Sequence, residues 1–345
     1  MTRLRICYFG GYDQDHVRNR VMIAGLRAQG AQVAECYSRH PLWVVRVGSL
    51  MRQYRRVHRT SDLILVGAAG HAYVPLAWIL ARLTRKPLVF DAFVSTFEIW
   101  QEQTRSARPR GVAGHLAWAF DALSARLADR VLLDTEEHAD YFCRTFHLPA
   151  HKVTPLPVGS DMTPAPSSGV PRPPAPLRVV FVGSFLPLHG ADVIRQAAAL
   201  LQDAPGILVE LAGSGTKRGL ISPADYRQML QQADIALGAF GTTPKAQRVI
   251  PCKVYDALAA GVVVVTGETP AIRRLLRHGD NALLVTPGDA HALTEAIRRL
   301  HRDPDLRARL AAAGQRTFEE RSTPVQVGRV LTRICVEVLA ARAAP

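Results

Sequence analysis

Short apolar runs that end in glycine or an acid, each followed by a stretch of helical periodicity, recur along the whole chain. Ile6-Cys7-Tyr8-Phe9 leads into Gly10-Gly11, Leu63-Ile64-Leu65-Val66 into Gly67, and Leu88-Val89-Phe90 into Asp91. The second half repeats the pattern, with Val179-Val180-Phe181-Val182 ahead of Gly183-Ser184 and Val262-Val263-Val264-Val265 ahead of Thr266-Gly267. Short runs that are apolar on both alternating faces suit strands buried on both sides of a sheet, and intervening helices supply the crossovers. The expected class is therefore α/β, with doubly wound parallel sheets whose ligand loops follow the C-terminal ends of the strands.

A chain of 345 residues is long enough for two such domains, each with its own core. Residues 163–176 contain six prolines (Pro164, Pro166, Pro171, Pro173, Pro174 and Pro176) with serines and a glycine, which reads as a linker. The expected division is 1–162, the linker at 163–176, a second domain at 177–322, and an apolar-periodic helix within 323–345 that can pack back on the first domain.

The net charge of +14 calls for anionic ligands or surfaces, and it is unevenly spread. Between Glu35 and Asp62 there is no acid, while Arg39, Arg46, Arg52, Arg55, Arg56 and Arg59 fall in the gap. Residues 42–59 can be written as a helix with Trp43, Val47, Leu50, Met51, Tyr54 and Val57 on one face. Arg46, Arg52, Arg56 and Arg59 lie mostly on the other. Such a basic amphipathic helix fits an anionic membrane surface, and equally a surface helix packed on its own domain. No recognised nucleic-acid motif accompanies the charge, so nucleic acid is not an expected partner. No apolar run is long enough to span a bilayer, and the run at Ile6 is too short for the core of a signal peptide. Five scattered cysteines without paired metal spacing are expected as reduced thiols, in a cytoplasmic protein.

In the first half, Gly10-Gly11 would let backbone approach a ligand, and Asp15 is the expected N-cap of a helix reaching Gln29. Asp13-Gln14-Asp15 has the Asp-x-Asp spacing of some metal-dependent sugar transferases, although helix capping explains it without a metal. His71, Asp91, Ser95 and Glu98 lie beyond strand termini, and His115 precedes an apolar helix with Trp118 and Phe120. His71, Asp91, Ser95 and His115 are candidates for acceptor contacts, although such residues taken singly are more often caps or turn residues.

In the second half, four polar loops follow strands: Gly183-Ser184, Gly213-Ser214-Gly215, Phe240-Gly241-Thr242-Thr243 and Thr266-Gly267. In a parallel sheet they converge on one edge. Lys245, Arg248 and Lys253 cluster before and at the start of a helix, with Asp256 in its first turns. Cations at a helix N-terminus favour phosphates, and a carboxylate just behind can accept from ribose hydroxyls, which suits a nucleoside diphosphate. There is no hydrolase elbow, Walker loop, zinc helix or full Gly-x-Gly-x-x-Gly fingerprint, which weakens an NAD(P) oxidoreductase reading.

The segment Pro251-Cys252-Lys253-Val254-Tyr255-Asp256-Ala257-Leu258-Ala259-Ala260-Gly261, with its valine run, resembles the nucleotide-sugar motif of the retaining GT-B glycosyltransferases of group 1 (family 4-like). Phe181-Val182-Gly183-Ser184 with His189-Gly190, Glu210-Leu211-Ala212-Gly213-Ser214-Gly215 and Gly279-Asp280-Asn281-Ala282-Leu283-Leu284-Val285 are similar to further family patterns. The resemblance implies a GT-B fold of two Rossmann-like domains facing a cleft, a nucleoside-diphosphate-sugar donor held mainly by the second, and no metal or other cofactor. It implies retention by front-face displacement, with the leaving diphosphate taking the acceptor proton. Lys245 and Lys253, then Arg248, become the diphosphate cations and Asp256 the ribose ligand. Gly10, Gly11, Gly183, Ser184, Thr266 and Gly267 become backbone or hydroxyl contacts to phosphate. The acceptor would be a lipid-linked, polysaccharide or other glycan, met by a peripheral protein on the inner membrane face. The family's signature is Glu, seven residues, Glu; here Asp256 holds the second place and Arg248 the first, and His189-Gly190 stands where Lys-Gly is usual. A non-catalytic nucleotide-sugar-binding relative, or partner subunit, is the alternative.

Overall fold

The computed structural model describes residues 3–104, 106, 108–163, 176–184, 186–214, 216 and 218–343. Most of the expected linker, residues 164–175, and Gly215 of the expected Gly213-Ser214-Gly215 loop lie outside the described residues. The chain divides into two compact units, Met1–Val158 with Pro324–Pro345, and Gly159–Thr323.

The first unit runs β1 (Arg5–Gly10), α1 (Val17–Ala28), β2 (Gln32–Tyr37), α2 (Trp43–Val57), β3 (Leu63–Val66), α3 (Val74–Leu83) and β4 (Leu88–Asp91). It continues with α4 (Thr96–Thr104), α5 (Gly111–Leu127), β5 (Arg130–Leu133), α6 (Glu136–Phe146) and β6 (Val153–Pro155). The six strands form one parallel sheet in the order β2-β1-β3-β4-β5-β6. Strand alternation divides its core. Phe9, Ile64, Val66 and Phe90 face one layer of helices, while Ile6, Tyr8, Leu63, Leu65 and Val89 face the other. All four residues of β3 are fully buried, as a central strand covered on both faces requires. Each such side chain contributes about 1.5–3 kcal/mol relative to exposure.

The second unit holds β7 (Leu177–Val182), α7 (Ala191–Leu200), β8 (Ile207–Ala212), α8 (Pro223–Gln231), β9 (Ile235–Leu237), α9 (Cys252–Ala259) and β10 (Val263–Gly267). After these come α10 (Pro270–Leu275), β11 (Leu283–Val285), α11 (Ala290–Arg302) and α12 (Pro304–Arg321). Its five strands are also parallel, in the order β11-β10-β9-β7-β8. Val179, Phe181, Leu237, Val263 and Val265 share a core with α7, α11 and α12. Ser222 caps α8, Asp289 caps α11 and Asp303 caps α12, each side chain accepting from the backbone N–H three residues on.

The last helix, α13 (Pro324–Ala343), returns to the first unit and lies along α1. The two helices meet backbone to backbone: a Cβ on Gly25 would fall 2.3 Å from Pro324 O, and one on Gly328 only 2.2 Å from the carbonyl of Gly25. Val327, Leu331, Ile334 and Cys335 enter the core beside Val21, Met22 and Leu26.

One local expectation is corrected. The N-cap of α1 is His16, whose Nδ1 accepts from Arg18 N at 3.3 Å. Asp15 instead lies in the preceding turn, where its own N–H is taken by Asp13 Oδ1. In α2 only Leu50 and Tyr54 of the expected apolar face are buried; Trp43 and Met51 remain 45% and 37% exposed. The start of this helix overhangs its own domain.

Beside the sheet, His138 of α6 lies fully buried between two carboxylates, its Nδ1 2.6 Å from Asp134 Oδ1 and its Nε2 3.5 Å from Glu98 Oε2. Burial pulls the imidazole pKa down, but Asp134 and Glu98 more than offset this and push it up to about 9. A folded-state value above the ordinary 6.5 stabilises fully below pH 6.5 and ceases to do so as pH rises through 9. Urea unfolding between pH 6 and 10 is therefore expected to show a loss of stability centred on pH 7–9 that His138→Gln removes. An unchanged pH profile in that variant would contradict the assignment.

Candidate functional site

In the second sheet the strand order reverses between β7 and β9, so their loops part and leave a crevice at the C-terminal edge. The two loops are tied together below it. Phe240 N donates to His189 O at 3.0 Å and Gly241 N to Leu188 O at 3.2 Å. Glycine is needed at this crossing because a Cβ on Gly241 would lie 2.4 Å from Leu188 O. Gly190, with φ 67°, sits against the carbonyl of Phe240 in the left-handed region.

Pro251 ends the β9 loop and starts α9, which places Lys253 in the first helical turn. Its side chain crosses β7 so that Nζ stands 3.8 Å from the centroid of the Phe181 ring. A Cβ on Gly183 would fall 2.5 Å from Nζ, so the absence of a side chain there makes room for the ammonium. Nζ is buried and makes no hydrogen bond among the described residues. Burial pushes its pKa down to about 7. An ammonium held in this way is poised to take a counter-charge from a ligand.

His189 borders the same space. Its Nδ1 lies 2.5 Å from Ser184 O, and since a carbonyl only accepts, Nδ1 carries the proton and Nε2 is left as an acceptor. Burial, with Lys253 and then Lys245 nearby, pushes its pKa down to about 4, so the ring is neutral at pH 7. Lys245, Lys253, Gly183, Ser184 and His189 are thus brought together. Arg248 follows one turn after Lys245 on the same loop, its N–H donating to Lys245 O at 2.9 Å. The crevice gains its positive charge from lysines on the β9 side, while His189 on the β7 side contributes none.

Asp256 lies on α9 three residues after Lys253 and is 8% exposed. Ser160 Oγ donates to its Oδ1 at 2.6 Å and Tyr226 Oη to its Oδ2 at 2.8 Å. Burial and the Asp256 charge hold the Tyr226 phenol well above its ordinary pKa, so it stays a donor. Sequence reasoning missed both partners. Tyr226 was within reach, because the Ser222-Pro223 cap fixes the start of α8 and hence the residue one turn in, whereas Ser160 had no local signal. Thr266 and Gly267 are placed differently from the expected phosphate contacts. Thr266 Oγ1 accepts from Ala239 N and donates to Ala239 O, which also takes the Gly267 N–H at 2.8 Å. The Gly183 N–H is likewise spent on Ala212 O at 2.9 Å.

The first sheet has its own reversal, between β1 and β3, and a pocket of about 240 Å³ opens there, lined by residues that include Gly11, Asp13, Ala69, Tyr73 and Phe93. Ala69 and Phe93 hold φ of 59° and 54°, strained values for non-glycine residues that cluster at functional sites. A Cβ on Gly11 would meet Tyr73 Oη at 2.1 Å, and Gly10 O accepts from Ser38 N, so this glycine pair shapes the rim of the pocket.

Three of the four acceptor-side candidates, Asp91, Ser95 and His71, are tied into the framework. Both Asp91 oxygens accept from Arg18 at 2.7 Å, each partner being fully buried, and Arg18 also donates to Leu156 O. Ser95 Oγ donates to Asp121 at 2.5 Å, and His71 Nε2 stands 3.4 Å from the same carboxylate. Asp121, an isolated acid within the apolar α5, is the hub that sequence reasoning passed over; it also takes Thr96 Oγ1 and Phe97 N. His115 lies on the exposed face of α5, its Nδ1 against Gly111 O at 2.7 Å. Among the described residues no group of three His, Cys, Asp or Glu side chains is arranged to hold a metal, Asp13 and Asp15 included.

Residues 194–332 match the model of the family described as Glycosyl transferase-like. The chain is 26% identical over 221 residues to a D-inositol 3-phosphate glycosyltransferase of Thermobispora bispora, covering 55% of this chain and 52% of that one. It is 24% identical over 298 residues to the α-D-kanosaminyltransferase of Streptomyces kanamyceticus, covering 78% and 74%. The chain thus spans about half the length of the first of these relatives and three quarters of the second. Among solved structures, Anabaena HepE in complex with UDP-glucose superposes with a TM-score of 0.70 at 16% identity, over 97% of this chain and all of that one. The sucrose-phosphate synthase of Thermosynechococcus elongatus gives 0.71 at 14% identity, over 98% of this chain and all of that one. With two parallel α/β units the chain has the GT-B fold, and its second half is similar to glycosyltransferases.

Proposed function

We propose that this protein moves a glycosyl group from a nucleoside-diphosphate sugar to a lipid-linked, polysaccharide or other glycan acceptor, with retention and without a metal ion. The observation that carries the reading is the buried Lys253 ammonium, which has no hydrogen-bond partner among the described residues, next to Lys245 at the switch point of the second sheet. The UDP-glucose bound by the structural neighbour HepE supports the donor class. Two lysines there supply the charge that a diphosphate leaving group needs, the role a metal would otherwise fill. The leaving phosphate takes the acceptor proton, and the enzyme contributes position and charge. Asp256, held in place by Ser160 and Tyr226, is the proposed ribose ligand. The pocket at the first sheet is the proposed acceptor side. The exposed arginines of α2 and the apolar start of that helix suit contact with an anionic membrane surface, on the cytoplasmic face.

A thermal-shift panel of UDP-, GDP- and TDP-sugars tests the donor. At least one is expected to stabilise the protein, and Asp256→Ala to weaken that ligand about tenfold, the worth of a hydrogen bond to a charged group. No shift with any donor would overturn the reading. The presence of Arg248 where the family's first glutamate is usual favours a second reading, a nucleotide-sugar-binding protein without turnover. Stabilisation without release of nucleoside diphosphate in the presence of membrane extract would select it.

A further inference from the structure

The exposed side of α5 carries no function in the account above, and it is apolar. Val112, Leu116, Phe120 and Leu123 are 78%, 64%, 38% and 51% exposed. At the helical angle they fall within a sector of about 80°. A surface helix normally turns such a stripe inward, so four large apolar side chains in one exposed sector mark an interaction surface. Its surroundings are basic. No acid occurs between Glu102 and the buried Asp121, while exposed Arg108 and Arg110 precede the helix and exposed Arg126 follows the stripe.

The stripe joins the overhanging start of α2. The Phe120 ring stacks on His71 at 5.7 Å, and two residues on, Tyr73 meets the Trp43 ring at 5.4 Å and accepts from Arg46 at 2.8 Å. Ala72, between them, is exposed. Tyr73 also lines the 240 Å³ pocket, so a chain of ring contacts through this turn, with Ala72 exposed on it, links the α5 stripe to Trp43 and to the pocket. We propose that this face of α5, together with the start of α2, docks on an anionic lipid bilayer, and that an acceptor anchored in the bilayer presents its polar end to the pocket. The occupant is set by charge. Apolar and aromatic side chains edged by arginines match a bilayer interface whose headgroups are anionic. The inference rests on the membrane contact proposed for α2 and extends it to a second helix.

Sedimentation with vesicles of phosphatidylglycerol and phosphatidylcholine, beside vesicles of phosphatidylcholine alone, tests it. The full chain is expected to bind the anionic vesicles, less as salt rises. Leu116→Ser with Leu123→Ser, and separately Val112→Glu, should each weaken that binding at least tenfold while leaving UDP binding and the melting temperature unchanged, since these side chains support no core. If wild-type protein binds no vesicles, both the α2 contact and this inference fall. If both variants bind as wild type, the α5 contact alone falls. A concentration-dependent dimer in size-exclusion chromatography that the same substitutions dissociate would show the face to be covered by a second copy, and would overturn it as well. UDP binding, measured on the same samples, keeps the donor reading separate from each of these results.

Discussion

Lys253→Met is expected to weaken UDP binding by about 10- to 100-fold, the equivalent of roughly 1.5–3 kcal/mol for a charged hydrogen bond. Methionine keeps most of the side-chain volume above Phe181, so the loss isolates the charge. The same residue predicts a proton signature. In the free protein burial holds the ammonium pKa down to about 7, and a bound diphosphate raises it again. Binding at pH 8 should therefore take up close to one proton, visible as a difference between calorimetric titrations in two buffers of unlike ionisation enthalpy. Affinity should fall as pH rises above 7. Stability without ligand moves the opposite way. Between pH 7 and 10.5 the unfolded chain holds a proton on this lysine that the folded chain has lost. Stability then gains up to ~1.4 kcal/mol per pH unit across that window, and Lys253→Met removes the slope. Equal UDP affinity for wild type and variant would sink the assignment of the diphosphate to Lys253.

The second large effect is structural. Arg18→Met leaves the Asp91 carboxylate without its partner in a site closed to water, where both members of the pair are fully buried. Breaking one side of such a pair costs about 3–5 kcal/mol, a large part of the stability of an ordinary domain. Urea unfolding should show this as a lowered midpoint. The double variant Arg18→Met with Asp91→Leu should recover most of the loss, because an apolar pair of similar volume avoids the desolvation of both ions. A cost below about 1 kcal/mol for the single variant would mean that water reaches Asp91.

What the chain discloses by itself follows the range of the interactions concerned. The strands were legible because burial on both sheet faces forces continuous apolar runs such as Leu63-Ile64-Leu65-Val66. The caps of α8, α11 and α12 were legible because Ser222, Asp289 and Asp303 act within three residues. The nearness of Lys245 and Lys253 could be anticipated from a loop and a helix start, as could the place of Asp256 on the same helix. Their partners could not. Tyr226 and Ser160 reach Asp256 from 30 and 96 residues away, and Arg18 reaches Asp91 across 73. The acceptor-side expectations met the same limit. Asp91 closes β4, and Ser95 and His71 stand beyond strand ends, yet partners distant in sequence tie all three into the framework. The α2 helix shows a further limit: periodicity gave its apolar face, but only the packing shows that Leu50 and Tyr54 are covered while Trp43 is not.

The return of α13 to α1 has a consequence for the order in which the protein can be made. The chain leaves the first unit after Val158 and comes back only at Pro324, so the ribosome delivers the whole of the second unit before the first can close its core. During that interval Val21, Met22 and Leu26 have sheet on one side and water where Val327, Leu331 and Ile334 will later lie. A nascent chain with such a surface open is sticky, and chaperones bind surfaces of this kind. The closing step is a docking of two helices whose separation is set by Gly25 and Gly328, so α13 has to find a seat with no tolerance for a methyl group.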